Sequence, residues 1–166
     1  SGDSVLADHL IMILSEHYLK KKKGAIIFDV KCSSQLPILI ENFGGTAIME
    51  KTGHFNIKKA IKKYNAILGG EMSGHIFINH DWYGFDDAIY TAVMLAKVIS
   101  DTGQTVSSVI EQFPKTFTTP ELNLDVDDVS KFKMVEKFKE QMKFPDAEFN
   151  TIDGVRVSIG SSWGLM

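Results

Sequence analysis

Apolar and polar residues follow two different spacings along the first 115 positions, and these spacings predict helices that alternate with strands. Apolar residues three and four apart indicate amphipathic helices, whereas short apolar runs indicate buried strands. The helical segments are 4–23, 33–44, 54–64, 86–103 and 105–113. The strand segments are 25–30, 46–51, 66–71 and 75–80. This alternation predicts an α/β domain over 1–115, with a mixed, mostly parallel sheet between helices in three layers.

The helices are expected to bury one face each. In the first helix, which Asp3 or Ser4 is expected to cap, an apolar stripe contains Val5, Leu6, Leu10, Ile13, Leu14 and Tyr18. The third helix is expected to turn Ile57, Ile61 and Tyr64 inward and its lysines outward.

The pattern changes after residue 115. The stretch "PKTFTTPELNLDV" begins with a Pro/Thr linker, and the alternation of Leu122, Leu124 and Val126 predicts a strand. A helix follows in "DVSKFKMVEKFKEQM", and then a hairpin that turns at Asp153–Gly154. We therefore expect a second, partial α+β domain over 116–166.

Composition narrows the class of protein. A hydrophobic content of 44% and a charged content of 23% are typical of a globular protein, and the formal charge of -3 argues against a nucleic-acid partner. No apolar run is long enough to cross a membrane, so no membrane partner is expected. The single cysteine, Cys32, cannot form an internal disulfide, which fits a cytoplasmic location.

Polar side chains follow three of the predicted strands. The first loop carries Lys31, Ser33 and Ser34, the second Lys51, Thr52, Gly53 and His54, and the third Glu71, Ser73 and His75. Carboxyl ends of parallel strands meet at one edge of a sheet, where ligands bind. Lysine ammonium groups suit a phosphate, and Glu and Ser can bind hydroxyls, so these loops favour a sugar phosphate.

Other interpretations of these residues stay open. Lys31 is equally explained as a surface charge, His54 as a helix cap, and Glu71 as a rim residue in a weak salt bridge. A metal site built on Glu71 and His75 is disfavoured, because Gly74 and the flanking strands argue against a helix and no cysteine or aspartate cluster completes a ligand set. No metal ligands are therefore assigned.

Three further features are interpreted structurally. Ser73 does not occupy a G-x-S-x-G elbow, so it is not expected to be a nucleophile. Asp86 and Asp87 are explained by capping of the helix that follows them. Cys32, although it lies beside Lys31, is interpreted as a packing residue.

Motifs in this order along the chain resemble the α-D-phosphohexomutases, in particular the bacterial phosphomannomutase/phosphoglucomutase type. They are "IIFDVKCS", "EKTGHFNIK", "GGEMSGHIFI", "GFDDAIY", "TPELNL" and "DGVRV…WGL". The resemblance implies that "GEMSGH" is a sugar-recognition loop, and that Met72 and His75 favour specificity for both mannose and glucose. It implies a third domain followed by a truncated fourth domain of such an enzyme.

The resemblance also implies roles for single residues. Glu71, Ser73 and Gly53 would belong to the substrate-binding loops, with Glu71 and Ser73 hydrogen-bonded to sugar hydroxyls. Lys31 and His54 would lie near the phosphate and the reacting oxygens. His75 would assist proton transfer or orientation, a role that an imidazole can perform.

Parts of the family's machinery are absent from this sequence. It contains neither a phosphoserine loop nor an aspartate-rich Mg²⁺ loop, so the resemblance implies that Mg²⁺ and its ligands belong to other domains of the same enzyme. Hexose phosphate and those missing domains are the expected partners, and the chain alone is expected to be inactive. A stand-alone phosphosugar-binding module and a purely structural domain are the alternatives.

Overall fold

A computed structural model describes residue 2 and residues 4–166 of the chain. The helices are α1 (Ala7–Lys21), α2 (Gln35–Asn42), α3 (His54–Tyr64), α4 (Ala88–Thr102), α5 (Val106–Ile110) and α6 (Ser130–Gln141). The strands are β1 (Ala25–Asp29), β2 (Thr46–Glu50), β3 (Leu68–Gly70), β4 (Ile76–Ile78), β5 (Glu148–Asn150), β6 (Arg156–Ile159) and β7 (Ser162–Leu165). The chain divides into unit 1, Ser1–Pro114, and unit 2, Lys115–Met166, one residue before the boundary expected from the sequence.

Unit 1 contains a four-stranded sheet in the order β2-β1-β3-β4. β1 pairs in parallel with both β2 and β3, while β4 runs antiparallel to β3. The register places Asp29 opposite Glu50 and Phe28 opposite Gly70, so the three parallel strands end at the same level. The predicted mostly parallel sheet flanked by helices is confirmed.

Helices cover both faces of this sheet. On one face α1 packs against β3, α2 and α4, and the larger apolar cluster lies there around Ile11, Leu14 and Phe28. On the other face α3 packs against β1 and β3, and a smaller cluster forms around Ile57 and Ile61. β1, β3 and β4 are largely buried on both sides, which explains their uninterrupted apolar runs, whereas the edge strand β2 is only partly buried.

Details at the helix surfaces differ from the sequence prediction. α1 begins at Ala7, and its N-cap, Leu6, makes no side-chain capping bond, so the predicted cap at Ser4 is wrong. The alternative cap, Asp3, lies outside the described residues. Val5 and Leu6 precede the helix and are exposed, and Tyr64 is 42% exposed because it ends α3 beyond the buried face.

Unit 2 consists of α6 and an antiparallel sheet in the order β5-β6-β7. The predicted hairpin around Asp153–Gly154 is confirmed, since β5 and β6 pair across it. The predicted strand over 122–126 is wrong: this segment forms no strand, and Leu122 and Leu124 are exposed. Alternation alone does not make a strand when no neighbour supplies the hydrogen bonds.

The longest helices, α1 and α4, have 15 residues each. Within residues 2 and 4–166, no helix combines the length and apolarity that crossing a bilayer requires.

Candidate functional site

The three polar loops leave the carboxyl-end edge of the parallel strands in unit 1. Residues 30–34, which include Lys31, connect β1 to α2, and residues 51–53 connect β2 to α3. Residues 71–75 connect β3 to β4. Because β1, β2 and β3 run in the same direction, all three loops begin at one edge.

Glu71 is the buried centre of this edge. Its side chain is 2% exposed, and its Oε1 accepts a hydrogen bond from the backbone N–H of Gly53 at 2.5 Å. Its Oε2 accepts no hydrogen bond within the described part of the chain and lies 3.5 Å from Nδ1 of His75. A buried carboxylate with such partners differs from a rim residue in a solvated salt bridge, so that alternative is wrong.

Gly53 joins the second loop to the third. It is the N-cap of α3, with φ at 117°, and its carbonyl oxygen accepts hydrogen bonds from the N–H groups of Asn56 and Ile57. A side chain would strain this backbone conformation, so glycine is required here. The Glu71 carboxylate therefore lies at the N-terminus of α3, where the helix dipole stabilises a negative charge.

The third loop is a tight turn. The N–H of Glu71 donates to the carbonyl oxygen of His75 at 3.0 Å, and the N–H of Gly74 donates to that of Glu71 at 3.0 Å. Gly74 has φ at 96°, and a Cβ atom there would meet no heavy atom within 4 Å. Glycine is needed at 74 for its backbone angle and not for space.

Ser73 and His75 present polar groups to solvent on this turn. Ser73 Oγ and His75 Nδ1 are 2.8 Å apart, and both residues are exposed. The other ring nitrogen of His75, Nε2, lies 3.8 Å from Oδ2 of Asp86. The imidazole therefore has a hydroxyl and a carboxylate on opposite sides, an arrangement that can hold or transfer a proton.

The two aspartates before α4 have different roles. Asp87 is the N-cap: its Oδ1 accepts from the N–H of Tyr90 at 2.9 Å and its Oδ2 from Nε1 of Trp82 at 3.1 Å. The capping interpretation is therefore confirmed for Asp87, whereas the Asp86 carboxylate lies beside His75.

Asp29 is a residue of this edge that the sequence analysis did not select. It is fully buried at the end of β1, and its Oδ1 accepts from the N–H of Met72 at 3.3 Å and from Sγ of Cys32 at 3.1 Å. Asp29 thereby joins the first loop to the third. A carboxylate that ends the apolar run "AIIF" was the signal available in the sequence.

Cys32 is a buried packing residue, as predicted. It is 0% exposed, and burial, together with the neighbouring Asp29 carboxylate, raises the pKa of its thiol well above the ordinary value. The next residue, Ser33, donates its backbone N–H to Oδ2 of the buried Asp8 at 3.2 Å. A thiol in such surroundings stays protonated at neutral pH.

The cationic candidates lie on the loops but differ in exposure. Lys31 is half-buried in the turn after β1, whereas Lys51 and His54 are exposed. His54 is the first residue of α3 and Gly53 is the cap, so the capping alternative for His54 is wrong. The contacts given above connect Gly53, Glu71, Ser73 and His75. Lys31 and His54 are placed at the same edge of the sheet only by the strands that precede them.

The described residues contain no group of three or more His, Cys, Asp or Glu side chains that could hold a metal ion.

Comparison with known proteins gives a consistent family. The model of "Phosphoglucomutase/phosphomannomutase, alpha/beta/alpha domain III" matches residues 7–117. A phosphomannomutase/phosphoglucomutase of Pseudomonas putida is 46% identical over the whole chain, and a phosphoglucomutase of Neisseria gonorrhoeae is 39% identical over 99% of it. The chain spans only 36% of the length of either relative.

A solved structure agrees with these relatives. The crystal structure of a phosphoglucomutase/phosphomannomutase family protein from Burkholderia thailandensis superposes with a TM-score of 0.89 at 35% identity. The match covers 99% of this chain and 35% of that one.

Proposed function

Since the chain belongs to the phosphoglucomutase/phosphomannomutase family, we propose that it is the sugar-binding part of a hexose-phosphate mutase. The parent enzyme would interconvert hexose 1-phosphate and hexose 6-phosphate by phosphoryl transfer through a bisphosphorylated sugar. The observation that carries the proposal is the hydrogen bond from Gly53 to Glu71, which ties the second loop to the sugar-recognition turn.

The site supplies complementary groups for such a ligand. The exposed Ser73 hydroxyl can accept a hydrogen bond from a sugar hydroxyl. Glu71 Oε2 is buried without a hydrogen-bond partner among the described residues, and it would accept one from the sugar once the turn moves to uncover it. Lys31 and His54, on neighbouring loops, provide cationic side chains for a phosphate. Phosphoryl transfer depends mainly on positioning and on stabilisation of charge, and these residues would orient the sugar for it.

Proton transfer is assigned to His75. A sugar hydroxyl that attacks phosphorus must lose its proton, and the His75 imidazole can accept it on Nδ1 through the Ser73 hydroxyl, 2.8 Å away. The neighbouring Ser73 and Asp86 lie on opposite sides of the ring and would orient it.

The remaining functions are proposed to lie outside this chain. Mg²⁺ would be bound by another domain of the full-length enzyme, where it would neutralise charge on the transferring phosphoryl group. The parent is proposed to act in the cytoplasm. The chain alone is proposed to be inactive, because it would lack both the phosphoryl donor and the walls that close around the substrate.

A chimera tests the proposal. The matching segment of the Pseudomonas putida relative is replaced by this chain, and conversion of glucose 1-phosphate and mannose 1-phosphate is measured. We expect turnover by the chimera, and a loss of about 100-fold or more in kcat/KM when Glu71 is changed to Ala, since both the turn and α3 would shift. Asp101→Ala, which removes an exposed carboxylate paired with Lys97, is the matched control.

Two outcomes separate the alternatives. The chimera could fold without showing turnover while the 166-residue chain still binds glucose 1-phosphate. That result would favour the phosphosugar-binding module. Turnover by the 166-residue chain without any added domain would overturn the proposal that it is inactive alone.

A further inference from the structure

We propose that Asp86 is a positioning residue that keeps the proton of the neutral His75 ring on Nε2 and so sets the direction of the Ser73 hydrogen bond. With the proton on Nε2, Nδ1 accepts from the Ser73 hydroxyl, whose oxygen lone pairs then face the ligand. The identity of the ligand rests on the proposed function, whereas the tautomer is inferred from contacts within this chain.

The position of Asp86 is fixed by the fold. Its backbone forms an antiparallel bridge with Phe77 in β4, and the preceding turn is held by the N–H of Gly84, which donates to the carbonyl oxygen of Ile78 at 2.9 Å. Helix capping is performed by Asp87, so capping does not account for Asp86. Its carboxylate, 38% exposed, lies 3.8 Å from Nε2 of His75.

Two carboxylates compete for the ring proton. Glu71 Oε2 lies 3.5 Å from Nδ1 and Asp86 Oδ2 lies 3.8 Å from Nε2, and an ionised carboxylate can only accept hydrogen bonds. A neutral imidazole has one N–H, so it can donate to only one of these two carboxylates. Ser73 favours a proton on Nε2, because its hydroxyl, at 2.8 Å, can donate to Nδ1 and so leave the ring proton for the nitrogen that faces Asp86.

The tautomer has a consequence for recognition. When Nδ1 accepts from Ser73, the exposed Ser73 oxygen can only accept from the ligand, and it suits a ligand that donates from a hydroxyl. When Nδ1 carries the proton, Ser73 accepts from the ring and its O–H turns toward the ligand as a donor. Asp86 would thereby determine, through the His75 ring, whether the Ser73 hydroxyl accepts from the sugar or donates to it.

Nitrogen-15 NMR of the histidine rings tests the proposal on the 166-residue chain. The resonances of His75 are assigned by their loss in His75→Gln, and the tautomer of the neutral ring is compared between wild type and Asp86→Ala. We expect mainly the Nε2–H form in wild type and a shift toward the Nδ1–H form in Asp86→Ala. Asp86→Glu, which restores a carboxylate, should return the ring toward the wild-type form.

The control is Asp101→Ala, which removes an exposed carboxylate that pairs with Lys97 and should leave the His75 tautomer unchanged. A wild-type ring protonated on Nδ1, or an identical tautomer in Asp86→Ala, would overturn the inference.

A ligand titration separates this inference from the proposed function. Glucose 1-phosphate is added to wild type and to Asp86→Ala, and weakening of about fivefold to tenfold is expected, the loss of about one hydrogen bond. A tautomer shift in a chain that binds no sugar phosphate would support the positioning role while counting against the ligand. Equal affinities combined with a tautomer shift would overturn the link from Asp86 to Ser73.

Discussion

Cys32 shows how burial determines the chemistry of a single residue. Its Sγ is fully buried and lies 3.1 Å from Oδ1 of Asp29, and the pKa of the thiol is raised by desolvation first and by this carboxylate second. The neighbouring Lys31 does not reverse the shift. The thiol is therefore expected to stay protonated at a pH of about 8, where an ordinary cysteine begins to ionise.

We predict that a disulfide reagent modifies Cys32 much more slowly in the native chain than in the chain unfolded by guanidinium. The thiolate is the reactive form, and both its population and its access are reduced by folding. Absorbance of the released thiol at a pH of about 8 measures both rates. Equal rates in native and unfolded chains would show that the thiol is accessible and ionised.

Sequence patterns identified the residues of the third loop better than the residues of other segments that contact this loop. Ser73 and His75 were selected because a turn has no structural need for them, and they are adjacent in the fold. Asp29 was missed because a single carboxylate at the end of an apolar run has no periodic signature. The contact of Asp86 with His75 was also missed, since local capping explained the "DD" pair without reference to a distant turn.

At the scale of helices and strands, the glycine pair of β3 determines how closely the layers approach. A Cβ atom on Gly70 would lie 2.5 Å from Cδ1 of Ile11 in α1. On the opposite face, a Cβ atom on Gly69 would lie 2.7 Å from Cδ1 of Ile61 in α3. These glycines precede the turn and serve helix packing on both faces of the sheet.

We predict that Gly70→Ala lowers the free energy of unfolding by about 1–3 kcal/mol, the usual cost of overpacking a core. Denaturant unfolding of the single variant measures this cost. In an Ile11→Ala background the same substitution should cost less, because the overlapping atoms are gone. Identical costs in the two backgrounds would show that contact with Ile11 is not the cause.

The mostly parallel direction of the strands in unit 1 was predictable because helices separate the parallel strands and force crossovers. Their order, β2-β1-β3-β4, was not predicted. The strand expected over 122–126 was wrong because its alternation of apolar residues is not matched by a pairing partner. Side-chain alternation identifies which face a strand would bury, but backbone pairing decides whether the strand forms. This distinction also explains why β6 and β7, joined by a tight turn at Gly160, do form.

At the scale of the whole molecule, the two units have separate cores. The two apolar clusters described above contain only residues of unit 1. Unit 2 buries Val155 and Arg156, with the Arg156 guanidinium 3.6 Å from the centre of the Trp163 ring. Unit 2 begins with residues 115–128, which have no regular structure apart from the turn at their end, and Phe117 in this segment is fully exposed.

We predict that a chain shortened to residues 1–114 folds and keeps the candidate site, because Glu71, Gly53 and both clusters belong to unit 1. Its Tm should lie within about 4 °C of the transition of unit 1 in the full chain, a shift that corresponds to about 1 kcal/mol or less. Limited digestion with chymotrypsin should cut the full chain first near Phe117 or Leu122, since both are exposed in irregular backbone. If the shortened chain instead fails to unfold cooperatively, or loses a glucose 1-phosphate affinity that the full chain has, then unit 2 contributes to the stability or to the ligand site of unit 1.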